Sequence, residues 1–339
     1  MNDIFKISPY SLFTTKSYRT AEEFFTKENV SYDVFISAYT DEDIVTKTFE
    51  NFQATKKYWL LFPEYNFDIN SLNIKGNIFY PNIKFIDNWE IEYILDFIDT
   101  ASLKPDMSLC IDISGFIKPY MIFLIHYLKE KGYQKIDIIY SEPQSYRKSS
   151  DTEFSQNDIL STRDILMLDQ EYREPAADDL FIVNAGYDSR LIKNVLNDIQ
   201  VKETTVLIGY PSLQPIMYQE NLINIEKAQT ALKIDFMLEP LTAPANNPFE
   251  SAKVISDYIK KYMASNKNIN NIYLSVLATK AQALGLLIFY MCEEKFFNDR
   301  EISIHFRYPF TSHYSANSSL GIFRINKYSL EFDKMEEWF

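Results

Sequence analysis

The chain has 339 residues, with 47 Asp and Glu against 34 Lys and Arg and a net charge of −13, so its field repels polyanions and duplex nucleic acid is not an expected partner. Hydrophobic residues at 46% and charged residues at 24% are ordinary globular proportions, which argues against extensive disorder, and the length gives a prior of about two domains. No stretch approaches the roughly 18 apolar residues of a membrane span, and residues 1–13 lack a positive flank before an apolar core, so a soluble, cytoplasmic protein without a membrane partner is expected.

Residues 32–38 (YDVFISA) and 58–63 (YWLLFP) read as buried strands, with residues 41–52 as the helix between them. Their apolar runs need cover on both faces, which predicts parallel pairing. Residues 68–87 are rich in Asn and Ile and contain Gly76 and Pro81, a pattern of turns and short extended pieces. An amphipathic helix over 89–98 closes a smaller N-terminal α/β lobe, residues 1–105, with Pro105 near the boundary.

From residue 106 onward strand and helix alternate. Residues 109–113 form a strand, Ser114-Gly115 break it, and Pro119 falls in a first helical turn, where its missing N–H is no loss. A helix over 120–131 leads through Gly132 to a strand at 136–140. Residues 147–164 are polar and read as an excursion over the surface, of the kind that often forms a lid. Further strands are expected at 179–186, 205–209, 236–240, 271–276 and 302–308, with helices at 188–199, 217–232, 250–263 and 281–293 between them and an edge strand at 321–328. This alternation predicts an α/β fold: one mainly parallel Rossmann-like sheet over residues 106–339 with helices on both faces, in which residues 109–113, 181–183, 206–208 and 272–275 are neighbouring strands.

Several chemistries are excluded by what is missing. There is no G-x-G-x-x-G after a strand, no G-x-x-x-x-G-K-[ST] and no G-x-S-x-G, which removes a conventional NAD fold, a P-loop NTPase and an elbow-type serine hydrolase. His126, His305 and His313 are far apart, and Cys110 and Cys292 sit in apolar runs, so neither a metal site nor a disulfide is expected. No cofactor can be named from the sequence.

What remains is a convergence of strand ends on one rim, where open α/β sheets bind ligands. The candidate ligand residues are Ser114, Gly115, Glu142, Tyr146, Gly186, Tyr187, Arg190, Ser212, Asn246, Thr279, Lys280 and Tyr314. Asp112 and Asp188 are candidate general bases, with Lys280 or Arg190 stabilising negative charge, if the rim is instead an enzyme of glycosyl or phosphoryl transfer type. Asp112, Asp188, Arg190 and Lys280 are expected to face one cleft. The Thr279-Lys280 turn is the most specific element, since a hydroxyl, an ammonium and helix-start N–H groups can converge on a small anionic ligand. A third reading is a scaffold that self-associates through its many aromatics.

Residues 271–285 (NIYLSVLATKAQALG) resemble the strand, Thr-Lys turn and helix of the CARF and related Rossmann-like sensor domains of prokaryotic antiviral systems. That resemblance implies a ligand sensor for a nucleotide second messenger with a role in antiviral defence, although Leu277-Ala278 stand where the sensor pattern favours glycines. Residues 32–37 with Asp41 and Asp43 are similar to the opening of TIR domains. No TIR nucleotide loop follows, and Glu90 and Glu92 fall in an ordinary helix, so NAD hydrolysis is not expected.

Overall fold

A computed structural model describes residues 9–81, 88–146, 159–167, 172–232, 240–266, 268–315 and 319–338. The N-terminal half opens with β1 (Thr15–Tyr18), α1 (Ala21–Glu28), β2 (Tyr32–Ala38), α2 (Asp43–Asn51), β3 (Ala54–Leu60), β4 (Asn77–Phe79) and α3 (Trp89–Ala101). It continues through β5 (Leu109–Asp112), α4 (Lys118–Glu130) and β6 (Lys135–Tyr146). As expected, β2 and β3 pair in parallel with α2 between them, Ile36 opposite Tyr58.

The C-terminal half contains β7 (Ile159–Asp164), β8 (Leu180–Asn184), α5 (Ser189–Asp198), β9 (Glu203–Gly209), α6 (Met217–Leu232), β10 (Leu241–Ala243) and α7 (Pro248–Ser265). It ends with β11 (Asn271–Val276), α8 (Lys280–Asn298), β12 (Ser303–Thr311), β13 (Ser319–Glu331) and α9 (Phe332–Trp338). The class is α/β and Rossmann-like, with two mixed, mainly parallel sheets flanked by helices.

The division between the sheets differs from the expectation. β5 does not neighbour the strands at 181–183, 206–208 and 272–275; it pairs with β2 and β6, and those three pair among themselves. A boundary at 105/106 therefore falls inside the hydrogen-bonded first sheet. The reason is the crossover: the chain leaves β2 through β3 and β4, and α3 then brings it back to the free side of β2.

Each sheet has the same internal plan. The first runs β4-β3-β2-β5-β6 and the second β10-β9-β8-β11-β12: in each, the third, second, first, fourth and fifth strands of the unit, the order that places a topological switch point between the first and fourth strands. The outer strands are exchanged. β7 follows β6 in the chain but lies antiparallel on β12, and β13 follows β12 but lies antiparallel on β6. The outermost strand on that edge is β1, which covers residues 325–328 of the segment expected at an edge. Of the expected polar excursion, residues 147–158 lie outside the described residues and 159–164 are β7; of the strand expected at 236–240, residues 236–239 also lie outside them.

The exchange fastens the two units. From β7, Arg163 makes two hydrogen bonds, of 2.8 and 2.7 Å, to the buried Glu90 of α3, and its guanidinium lies 3.6 Å from the Phe310 ring centre. Glu90, one of the acidic residues weighed against a TIR likeness, is thus held in an ion pair. α4 and α8 pack together in one apolar core that continues from the first sheet to the second, while α1 and α2 cover the opposite face of the first sheet with a separate cluster. Fully buried side chains such as Phe123, Leu124, Leu287 and Phe289 each contribute about 1.5–3 kcal/mol of burial. Cys110 and Cys292 are buried free thiols. His305 is in the core, bridging Asp164 and Asn271 at 3.0 and 3.1 Å.

Candidate functional site

The rims of the two sheets face each other across a cavity of about 190 Å³. From the first unit it is lined by Glu42, Tyr65, Ser114, Lys118, Tyr140 and Tyr146, and from the second by Gly186, Tyr187, Asp188, Asn221, Lys280, Gln282 and Tyr314, among others. The first residues of α4, α6 and α8 (Lys118, Met217 and Lys280) and the N-caps of α2 and α5 (Glu42 and Asp188) all touch it. Helix starts carry unpaired N–H groups and partial positive charge, so several on one cavity favour an anion despite the acidic surface.

Two lysines occupy matching places. Lys118 opens the helix after the fourth strand of the first unit, and Lys280 opens the helix after the fourth strand of the second. The Lys118 ammonium reaches across the junction and donates to the Leu277 carbonyl at 3.1 Å. Burial, with Lys280 repelling it, pushes the Lys118 ammonium down to about 7. Burial lowers Lys280 too, against the pull of the Glu42 and Asp112 carboxylates.

Backbone close approach shapes the walls. A Cβ on Gly186 would lie 2.1 Å from the Leu277 oxygen, and one on Gly115 would lie 2.0 Å from the Ala38 oxygen. Only glycine permits either contact, and each lies where the turn of one strand crosses that of its neighbour at a switch point.

The sequence candidates divide into three groups. Ser114, Tyr146, Gly186, Tyr187, Asp188, Ser212, Thr279, Lys280 and Tyr314 line the cavity. Several have their polar atoms engaged: Thr279 caps α8 by accepting from the Gln282 N–H, the Ser212 hydroxyl donates to the Gln214 carbonyl, Tyr187 donates to Glu220, and the Tyr308 and Tyr314 hydroxyls bond each other. Asp188 accepts from the Arg190 N–H at 2.9 Å, capping α5.

Arg190 ion-pairs with Asp188 at 3.1 Å and lies off the wall. Asp112 and Gly115 are behind it. Asp112 is fully buried and accepts from the Ser37 hydroxyl at 2.9 Å and the Ser114 N–H at 3.0 Å; burial raises its carboxyl to about 6. Of the four residues expected to share a cleft, only Asp188 and Lys280 line it.

Glu142 and Asn246 are fasteners. β6 runs on through Tyr146, so Glu142 is a strand residue, not part of a loop after the strand as read from sequence. Its carboxylate accepts from Asn246 and Asn326 at 2.8 and 2.6 Å and pairs with Arg324 at 2.9 Å.

Lys118, Glu42, Tyr65 and Asn221 were missed. Lys118 carried a usable signal, a lysine at the helix start after a strand and a small-residue turn, the same feature that singled out Lys280. Gln282, two residues beyond Lys280, gains a particular role in three dimensions. It is fully buried, it lines the cavity, and neither atom of its amide has a hydrogen-bond partner.

Among the described residues no group of His, Cys, Asp and Glu is arranged to hold a metal ion, and no helix is long and apolar enough to cross a membrane. No protein-family model matches the chain, and no curated protein matches it in sequence.

Proposed function

We propose that the chain is a binding or signalling module that holds a small anionic, nucleotide-like ligand between the rims of its two sheets. The observation that carries this reading is the pair of lysines at matching helix starts, Lys118 and Lys280, on one cavity. Helix starts and ammonium groups together favour a phosphate or carboxylate. Tyr65, Tyr140, Tyr146, Tyr187 and Tyr314 line the same space, and aromatic faces suit a flat ring attached to the anion. Of the two candidate bases of the enzyme alternative, Asp112 is absent from the lining and bound to Ser37 and Ser114, whereas Asp188 lines the cavity, where it caps α5 and pairs with Arg190. The likeness of residues 271–285 to nucleotide-sensor domains agrees with a sensory role, and antiviral defence belongs to the proposal on that likeness alone.

Native mass spectrometry of protein purified from cells tests the reading. A retained phosphorylated or carboxylated species, lost from a Lys118→Ala, Lys280→Ala double variant that still folds, is expected. A retained neutral or cationic species would sink it.

A further inference from the structure

The segment before β1, on the first sheet, lies on two helices of the second unit. Residues Pro9–Leu12 make a short 3-10 turn that packs against α7, and two rings anchor the segment. Tyr10 is buried, and its hydroxyl donates to Glu293 of α8 at 2.8 Å. The same carboxylate accepts from the Ser256 hydroxyl and pairs with Lys260 at 2.8 Å, both on α7. Phe13 stacks on Phe249, with ring centres 4.8 Å apart and planes 9° apart. β1 itself is a four-residue edge strand, so residues 9–13 can leave α7 and α8 without unpairing an inner strand, a local opening that costs far less than unfolding.

Phe13 meets α7 at the end that borders the cavity. Phe249 is the second residue of that helix, and Ala245, just ahead of it, lines the cavity. One hydroxyl joins the starts of α7 and α8: Thr279 donates to the Ala245 carbonyl and accepts from the Gln282 N–H, capping α8 one residue before Lys280. On its other side the turn before α7 is met by β13, where Tyr328 donates to the Asn246 carbonyl at 2.6 Å. The two helices touch without slack, since a Cβ on Gly285 of α8 would lie 2.4 Å from the Pro248 oxygen and 2.7 Å from Ser251 Cβ. Close-packed contacts of this kind shift together rather than deform, so a displacement of the first turn of α7 carries the start of α8 with it.

We propose that residues 9–13 are a strap that regulates the anion site. Docked, the strap holds the first turn of α7 and, through Thr279, sets Lys280 for the ligand; released, it lets that turn relax and affinity falls. This deepens the anion-binding reading above and rests on it. The coupling is reciprocal, so a bound anion tightens the strap by the factor by which the docked strap tightens the anion.

Calorimetric titration with ribose 5-phosphate, well below the melting temperature of every variant, tests the strap. Phe13→Ala should weaken binding at least about fivefold, the lower end of typical couplings between sites, and Tyr10→Phe, which keeps the ring and loses the hydroxyl, should weaken it less. Phe25→Ala, which removes a ring from α1, should leave binding unchanged. In hydrogen exchange, saturating ribose 5-phosphate should slow the amides of Phe249, Glu250 and Ser251, which bond to Asn247, by more in wild type than in Phe13→Ala. Wild-type affinity in Phe13→Ala, or equal protection of these amides in both proteins, would overturn the inference, and loss of binding in Lys280→Ala would then leave the anion reading standing. If wild type does not bind ribose 5-phosphate at millimolar concentration, or Lys280→Ala binds it as wild type does, the anion reading falls and the strap falls with it.

Discussion

The two sheets share a strand order but treat the polar groups at their switch points in opposite ways. In the first unit the Asp112 carboxylate takes the Ser37 hydroxyl and the Ser114 N–H, the Ser114 hydroxyl takes the Ser141 N–H, and the Ser141 hydroxyl meets that of Thr48. Apart from the Thr40 hydroxyl, that switch point is closed by its own side chains. In the second unit Asn184, Ser275 and Gln282 are fully buried and have no side-chain partner. A repeated fold thus closes one switch point with its own side chains and leaves polar side chains of the other unpartnered. Polar satisfaction, which strand order does not reveal, separates them.

The sharpest way to break that comparison is at Asp112. Asp112→Ala removes a buried acceptor and strands the Ser37 hydroxyl and Ser114 N–H, so a loss of about 3 kcal/mol of unfolding free energy is expected by chemical denaturation. Asp112→Asn, which keeps the shape and one acceptor, should cost less than half as much. A negligible effect of the alanine variant would mean that the first rim is not held by this network.

The next effect belongs to the lysines. Lys280→Ala should weaken binding of a phosphate-bearing probe by about 1.5–3 kcal/mol, the range for a charge-assisted hydrogen bond, without changing the melting temperature by more than a few degrees. Ribose 5-phosphate titrated calorimetrically reads this directly. Lys118→Ala should act in the same direction. If both variants bind like wild type, the charged end of the cavity is not an anion site.

Much of this arrangement was legible in the residues. The unit β2–α2–β3 and the parallel run of β8, β9 and β11 followed from apolar strands alternating with helical periods, because such strands must be covered on both faces. The placement of β5 was not legible. Leu109, Cys110 and Ile111 are as apolar as Phe181, Ile182 and Val183, and an apolar run states that a strand is buried but not which strand lies beside it. The exchange of β7 and β13 was hidden for the same reason. Of the site, Lys280 was found through its Thr-Lys turn, whereas Gln282, two residues further on, acquires its meaning when its amide is seen buried without a partner. Glu142 and Asn246 were drawn into the site because polar residues beside strand ends look alike whether they meet a ligand or, as here, each other.

A smaller effect distinguishes the lysines by pH. The Lys118 ammonium lies near 7, below its ordinary value because of burial, so it is charged below that pH and loses its proton above it. An anion favours the charged form, so binding must carry a rising cost of proton uptake as pH climbs past 7. Sulfate, whose own charge is constant there, should therefore bind about tenfold more weakly at pH 9 than at pH 6.5. Lys118→Ala should flatten this profile while weakening binding at the lower pH. A wild-type profile that is flat, or that rises with pH, would show that Lys118 does not charge to meet the anion.

The smallest expected effect carries the opposite sign to the first. Gln282→Met removes both unpartnered amide atoms from a fully buried position and puts a flexible apolar chain of similar volume in their place. In Asp112→Ala the lost group leaves its partners stranded; here no partner exists to be stranded. The asymmetry of buried hydrogen bonding therefore predicts no loss of stability and a gain of up to about 1 kcal/mol in the ligand-free protein, by chemical denaturation. Saturating ligand should reverse the order, because wild type then gains binding energy that the variant lacks, through linkage between ligand and the folded state. A destabilisation of the ligand-free variant comparable to that of Asp112→Ala would show that the second rim is satisfied as fully as the first, and the contrast between the two sheets would be lost.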